Sequence, residues 1–196
     1  EYLMPLTLVQ TVASQDEPVT LTEVKRHLRV TFDQDDLVIL GKMQAVRDLL
    51  ERETRRQFLT ATWKYALDTF PSGAQIQIPR PPLQSIDSVA YYDTDNVYTV
   101  FPTTSYGVDI LSEPGRLYLL PTASWPSTYD IPNAVEITFV AGWTSGALVP
   151  ASLRSLIMLM VGHLYENREA STEAILHEIP WSHRAMMWAN RVPTVY

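Results

Sequence analysis

Two side chains in the segment VGHLYENRE have the types and spacing of metal ligands. His163 and Glu166 stand three residues apart, so on a helix both would lie on one face and could bind a metal ion together. Catalytic zinc normally takes a third protein ligand and keeps one coordination position open. The remaining histidines repeat no metal-ligand spacing: His27, His177 and His183. The pair therefore favours a polar rim at the end of a buried helix over a catalytic centre.

Carboxylates in the middle of the chain are the second candidates for chemistry, because a glycosidase-like hydrolase needs two of them at a defined separation. The candidates are Asp87, Asp93, Asp95 and Asp109. Asp93 and Asp95 lie in YDTDN, a composition typical of a tight turn. The sequence has no glycine-rich phosphate loop, no Gly-x-Ser-x-Gly elbow and no cysteine. We therefore predict that the protein is not an enzyme and has no cofactor or metal, with a carboxylate-dependent hydrolase as the less favoured alternative.

The densest basic cluster is RETRRQ, residues 52–57, which could contact a phosphate backbone. Glu51 and Glu53 dilute its field, and the whole chain has a net charge of −7 with its acidic residues spread along the sequence. A protein that reads DNA sequence normally has a basic patch. The charge balance thus argues against sequence-specific DNA binding, but it permits a surface past which DNA moves.

Composition indicates one globular domain. The 196 residues are 46% hydrophobic and 19% charged, which is enough apolar material for a substantial core. No apolar run approaches the ~20 residues of a membrane span, and no secretory signal is recognisable. We expect a soluble, non-exported protein without a membrane partner.

Helical periodicity occurs at both ends of the sequence. Thr20, followed by Glu23 three residues later, predicts a capping box. Asp33 or Asp35 is predicted to cap a second helix, and Pro150 suits the first turn of a third. A short fourth helix is expected around WSHRAMMWANR. The predicted buried stripes are Ile39, Met43, Val46 and Leu50 in the second helix, and Leu153, Leu156, Ile157, Met160, Val161 and Leu164 in the third.

From Thr60 the hydrophobic period changes to two, which predicts short strands separated by turns rich in proline, glycine and aspartate. The order is helix, helix, many strands, helix, short helix. This predicts an α+β fold, in which helices about 20–58 and 150–190 form a small bundle and residues about 60–142 form an inserted antiparallel β region. Residues 1–196 would be a single domain.

Aromatic residues are frequent in the C-terminal segment, where they could anchor a contact with another protein. Trp and Tyr are enriched in such contacts, and arginines can pair with carboxylates across them. The other tryptophans at turns, Trp125 and Trp143, are better explained as core. The predicted contact residues are Trp181, Arg184, Trp188, Arg191 and Tyr196.

The sequence as a whole resembles the head–tail connector (adaptor) family of tailed bacteriophages, prophages and gene transfer agents. The resemblance extends from about Glu17 to about Arg191, and its most distinctive parts are IPRPPLQSIDSVAYYD and LYENRE. The segment IPWSHRAMMWANRVPTVY departs from the family pattern, since relatives tend to have a glycine after the proline and a longer aliphatic stretch.

The resemblance implies a structural virion protein with no catalytic residues. Such adaptors form a ring, typically of twelve copies, on the portal vertex of a filled head, extend the DNA channel and dock the stopper or tail. The partners it implies are other copies of the chain, the portal protein, stopper or tail proteins, and DNA that passes without sequence-specific binding. The protein would be made in the host cytoplasm and act in the virion. A monomeric protein-binding module is the alternative from another class.

Overall fold

The computed structural model describes residues 7–14, 16–167 and 181–193, with the side chains of 181–183 left out of the description. The chain divides into two compact units. Unit 1 comprises Glu1–Ser14, Thr60–Gly142 and Pro193–Tyr196, and unit 2 comprises Gln15–Leu59 and Trp143–Val192. Unit 2 is helical and unit 1 is built from antiparallel strands, which confirms the predicted α+β class.

The described residues of unit 2 form four α-helices: α1 Leu21–Leu28, α2 Asp36–Thr54, α3 Ala151–Glu166 and α4 Trp181–Ala189. The predicted capping box begins α1. The Glu23 amide donates to the Thr20 hydroxyl at 3.2 Å, and the Glu23 carboxylate accepts from the Thr20 amide at 2.8 Å. These reciprocal bonds satisfy amides of the first helical turn that have no partner inside the helix.

The predicted side-chain cap of α2 is wrong. Asp35 stands at the N-cap position, but its side chain makes no capping hydrogen bond. Its carboxylate instead accepts from the Tyr165 hydroxyl of α3 at 2.5 Å, while the Asp33 carboxylate pairs with Lys25. Asp33 and Asp35 therefore contact other helices of unit 2 and do not cap α2.

The core of unit 2 is formed by the inward faces of α1, α2 and α3. All four residues of the stripe predicted for α2 are buried, as are Leu153, Leu156, Ile157 and Val161 of α3. Met160 and Leu164 are only partly buried at the margin of this core. Periodicity thus identified the buried face of each helix but not the limits of that face.

In the part of unit 1 that the structure describes, eight strands form two sheets. A five-stranded sheet has the order β1-β2-β8-β4-β5, and a three-stranded sheet has the order β3-β7-β6. The strands are β1 Thr7–Val12, β2 Ala61–Leu67, β3 Gln75–Ile78, β4 Leu83–Tyr92, β5 Tyr98–Val100, β6 Tyr106–Asp109, β7 Gly115–Leu119 and β8 Val135–Ala141. Strand β1 was not among the predicted strands, although it adds an edge to the larger sheet.

The core of unit 1 takes alternate residues from both sheets, as expected when one face of each sheet is buried. Trp63, Ile137 and Phe139 contribute from the larger sheet, and Ile78 and Leu117 from the smaller one. Loop aromatics close the core, where the Trp125 ring stacks on Phe70 with centroids 4.8 Å apart. No helix in the described part of the chain is long and apolar enough to span a membrane.

Truncation of α3 should separate a core position from a marginal one. Leu156→Ala removes a fully buried side chain and should lower the free energy of unfolding by about 2–5 kcal/mol. Met160→Ala, one turn further along, should cost clearly less because Met160 is only partly buried. Urea unfolding followed by circular dichroism measures both, and equal effects would show that the buried face of α3 is assigned incorrectly.

Candidate interaction site at the C-terminal helix

Helix α4 exposes a row of basic and aromatic side chains. Arg184 and Trp188 are four residues apart on α4, the spacing of neighbours on one helical face, and Arg191 follows shortly after the helix ends; these three residues are called the Arg–Trp row. Arg184 is exposed and Trp188 is 61% exposed, which is unusual for so large an apolar ring. The Arg191 guanidinium lies 5.1 Å from the centroid of the Trp188 ring, close enough for a cation–π contact. The structure therefore brings two of the five predicted contact residues, Trp188 and Arg191, into contact, and a third, Arg184, lies one helical turn before Trp188.

The other two predicted contact residues are not part of this arrangement. Trp181 begins α4, but its side chain lies outside the described atoms, and Tyr196 lies outside the described residues. The opposite side of α4 holds Met186 and Met187, which pack against the core of unit 2. The helix is thus amphipathic, with Met186 and Met187 packed inward and Arg184 and Trp188 exposed.

Backbone contacts beyond α4 fix the end of the segment to α2. The Arg56 guanidinium donates to the Asn190 carbonyl at 2.7 Å, and the Val192 amide donates to the Thr54 carbonyl at 3.0 Å. The Val192 side chain is itself buried. Asn190 also donates through its side-chain amide to the Met186 carbonyl at 2.8 Å. These bonds hold the exposed row on a fixed support.

A buried carboxylate organises the turn that receives these bonds. Glu51 accepts from the Phe58 amide at 2.8 Å and from the Gln57 side-chain amide at 3.0 Å. Helix α2 ends at Thr54, and Arg55 takes the left-handed conformation with φ of 59°. Sequence analysis took Glu51 only as a charge that dilutes the basic cluster. Its burial could have been suspected because it lies one position after Leu50 on the inward stripe.

The basic cluster at residues 52–57 is not a continuous cationic surface. Arg56 is bound to the Asn190 carbonyl, Gln57 is buried, and Arg52 is close to Glu53 at 3.9 Å. The cluster mainly ends a helix and fixes the C-terminal segment. This gives little support to the phosphate-contact hypothesis.

The described residues of LYENRE make contacts that stabilise the end of α3. Tyr165 bonds Asp35 of α2, and the Asn167 side chain donates to the His163 carbonyl at 2.9 Å, which closes the last turn of α3. His163 and Glu166 are exposed on that turn. Among the described residues, no group of three or more metal-ligating side chains is placed to hold a metal ion. Arg168 and Glu169 lie outside the described residues.

The four candidate carboxylates are used in turns and local bonds. Asp93 accepts from the Asp95 and Val97 amides, both at 3.0 Å, as a tight turn requires. Asp87 accepts from the nearby Ser85 hydroxyl. Asp109 accepts from Ser112 and Arg116, and these hydrogen bonds hold the pKa of its carboxyl well below the usual range. An aspartate that remains ionised in this way is suited to fixing a hairpin and unsuited to donating a proton.

Replacement of Glu51 should destabilise unit 2. Glu51→Ala leaves the Phe58 and Gln57 donors without this acceptor, so we expect a loss of about 1–3 kcal/mol in the free energy of unfolding. The matched control is Glu53→Ala, two residues away and more exposed, which should change the free energy by no more than about 0.5 kcal/mol. Denaturant unfolding measures both, and indistinguishable variants would contradict the assigned role.

Replacement of the metal-like pair should remove no metal. The protein purified from zinc-containing medium should contain zinc well below one equivalent, both as wild type and as His163→Ala/Glu166→Ala. Elemental analysis measures this, and stoichiometric zinc that disappears in the double variant would overturn the architectural interpretation. The expected basis is that two ligands without a third make a weak site.

Comparison with known proteins finds a phage family model and several solved structures that are similar to the chain. The family model described as phage gp6-like head-tail connector protein matches residues 18–99. No curated protein matches the chain. Among solved structures, a chain in the neck of an empty GTA particle, computed with C6 symmetry, is 20% identical with a TM-score of 0.78, and the match covers 97% of each chain.

Two further solved structures are similar to the chain over nearly its whole length. A chain in the virion of a native gene transfer agent particle is 21% identical with a TM-score of 0.76, covering 96% of this chain and 97% of that one. A chain in the neck of a native GTA particle, computed with C12 symmetry, is 21% identical with a TM-score of 0.73, covering 98% of both. These likenesses show a shared fold across both units. With the match of residues 18–99 to the connector family, they confirm the resemblance predicted from the sequence: part of the chain matches the phage gp6-like head-tail connector family, and nearly all of it shares the fold of chains in gene transfer agent particles.

Proposed function

We propose that this protein is the head–tail adaptor of a phage or gene transfer agent particle, forming a ring on the portal vertex that extends the DNA channel and docks the stopper or tail. The observation that supports this most strongly is the connector-family match. The similar chains come from particle necks computed with C6 and C12 symmetry, which favours a ring of identical copies. The family is structural, in agreement with the prediction that the chain is not an enzyme.

Each copy would act as one adaptor protomer comprising residues 1–196, with both units present in every subunit of the ring. We expect twelve copies in the assembled state. The protein would be made in the host cytoplasm and located at the head–tail interface of the virion. A monomeric protein-binding module is the alternative, and observation of a ring on isolated heads distinguishes the two.

The proposed contact with the portal protein is the C-terminal segment, with Trp181, Arg184, Trp188, Arg191 and Tyr196 as its contact residues. The Arg–Trp row on α4 has the composition of an interface anchor, because a large ring is exposed beside two cations. Tryptophan and arginine dominate the energetics of many interfaces, and their burial against an acidic apolar groove would satisfy both. The fixed backbone at Asn190 and Val192 would reduce the entropy lost on binding.

Removal of two exposed side chains of α4 should weaken docking without unfolding the protein. Arg184→Ala/Trp188→Ala should weaken binding to portal-bearing heads by about 30-fold or more, since an interface anchor contributes about 2 kcal/mol or more. Both side chains are exposed, so the melting temperature should change little. Co-sedimentation of purified protein with isolated heads, over a range of concentrations, measures the binding.

The matched control replaces an exposed aromatic of the same unit, Phe32→Ala, which should bind heads like the wild type.

A complementary deletion should begin at Pro193, because removal of Val192 would also eliminate a buried side chain and its backbone hydrogen bond to Thr54. Unimpaired attachment of the α4 double variant to heads would exclude this row as the portal contact.

A further inference from the structure

The five-stranded sheet of unit 1 ends in two edge strands that contain neither charged residues nor proline, although β5 is short, with three residues. Strand β1 reads TLVQTV and strand β5 reads YTV, so neither contains a charged residue or a proline. Natural edge strands are commonly guarded by charge, proline or irregularity, because their backbone groups can pair with another chain. β1 has one irregularity, a register shift between Gln10 and Val12. In the smaller sheet, by contrast, the edge strand β6 includes the charged residue Asp109.

Large apolar side chains are exposed on both of these edges. Val9 and Val12 of β1 are 53% and 58% exposed, and Tyr98 and Val100 of β5 are 50% and 62% exposed. Register places all four on the same face. On β1, Val9 lies opposite Lys64 and Val12 lies opposite Thr62. On β5, Tyr98 lies opposite Tyr92 and Val100 lies opposite Ala90. Ala90 in turn lies opposite Glu136 of β8.

The interior of that face is polar, in contrast to its two margins. Lys64 and Glu136 form an ion pair at 2.9 Å, and the Tyr98 hydroxyl donates to the same carboxylate at 2.9 Å. Partial burial and the bond to Glu136 raise the pKa of Tyr98 to about 12, so the hydroxyl stays protonated and keeps donating. A sheet face exposed only to water is normally polar, most of all at its margins, where exposure is greatest. Here the apolar residues lie where another strand would be added.

Backbone geometry agrees with pairing at β5. The Phe101 amide donates to the Val89 carbonyl at 2.8 Å, and the Asp93 amide donates to the Val97 carbonyl at 3.0 Å. Because hydrogen-bonded and non-hydrogen-bonded positions alternate in an antiparallel pair, Tyr98 and Val100 direct their amides and carbonyls away from β4. The residues with outward backbone groups are therefore those with exposed apolar side chains.

Strand direction determines how two copies could join. Four successive antiparallel pairings connect β1 to β5, so these two strands run in the same direction. A closed ring needs two different surfaces on each copy that fit one another head to tail. If β5 of one copy joins β1 of the next, the two strands run in parallel, and the same face of the sheet continues from one copy into the next.

We propose that the adaptor ring is closed by sheet continuation, in which β5 of each copy pairs in parallel with β1 of a second copy. This rests on the ring of the proposed function. The contact places Val9 and Val12 beside the neighbouring copy's Tyr98 and Val100, and cross-strand pairs of aromatic and β-branched residues are favourable. It also covers both unguarded edges at once, so the sheet has no free edge in the ring.

Engineered disulfides test the contact directly, because the natural chain has no cysteine. The test variant is Val9→Cys/Val100→Cys, bound under reducing conditions to portal-bearing heads, washed, oxidised and run on a denaturing gel without reductant. A ladder of covalent multimers, up to the full ring, is the expected result. Val9→Cys and Val100→Cys alone should give no ladder. The matched control Gln75→Cys/Val100→Cys, which uses an exposed position on the edge strand β3 instead of β1, should also give none.

Electron microscopy of the same heads keeps the two proposals separable. A ring on heads without a ladder, also with Val12→Cys/Tyr98→Cys, would overturn sheet continuation and leave the adaptor function intact. Absence of any ring on heads with wild-type protein would overturn the proposed function, and sheet continuation with it. If the reduced double variants bind heads like the wild type, the cysteines have not disturbed folding. If a double variant does not bind, Val9→Lys/Val100→Lys replaces it. This lysine variant should fold normally and lose ring formation, while the control Gln75→Lys should still form rings.

Discussion

The buried carboxylate of Glu51 is the interaction on which the proposed docking helix depends. It accepts from the Phe58 amide and the Gln57 side chain, and so fixes the turn after α2 in a buried environment. A buried carboxylate is costly unless its hydrogen bonds are satisfied, so this turn has little freedom to rearrange. The same turn contains the Thr54 carbonyl and the Arg56 guanidinium that hold Val192 and Asn190. The position of the Arg–Trp row is thus set by residues more than a hundred positions earlier in the chain.

Local and periodic features of the fold could be predicted from sequence. The capping box at Thr20 and Glu23 needs only two side chains at a fixed spacing, and helical stripes require only a repeated apolar face. Turn aspartates such as Asp93 are equally local, because their bonds are with residues two to six positions away. Each of these features is decided within a few residues, where sequence patterns are most informative.

Features that depend on distant partners could not be predicted in this way. Asp35 has the sequence context of a helix cap, but a tyrosine hydroxyl 130 residues away takes its carboxylate. Strand β1 lacks the strict hydrophobic alternation that identified the other strands. It is a strand because it pairs with β2, which lies far from it in the sequence. For the candidate contact residues, composition suggested an aromatic and basic segment, but only the packing of Met186 and Met187 shows which side of α4 remains exposed. Exposure of Trp188 is a property of the assembled helices and has no signal in the local sequence.

The distribution of charge bears on how DNA could pass such a protein. Several basic side chains in the described part of the chain are paired with carboxylates of the same chain: Lys25 with Asp33 and Asp36, Arg47 with Glu17, Lys64 with Glu136, Arg116 with Asp109, and Arg154 with Glu23. Affinity for DNA grows with each phosphate that a protein neutralises, whatever the base sequence. A lysine or arginine that already contacts a carboxylate contributes little to this term, and the net charge of −7 opposes it further. Weak adhesion of this kind is compatible with the DNA channel of the proposed adaptor ring. Because a net negative charge is common to many proteins, it does not by itself identify an adaptor.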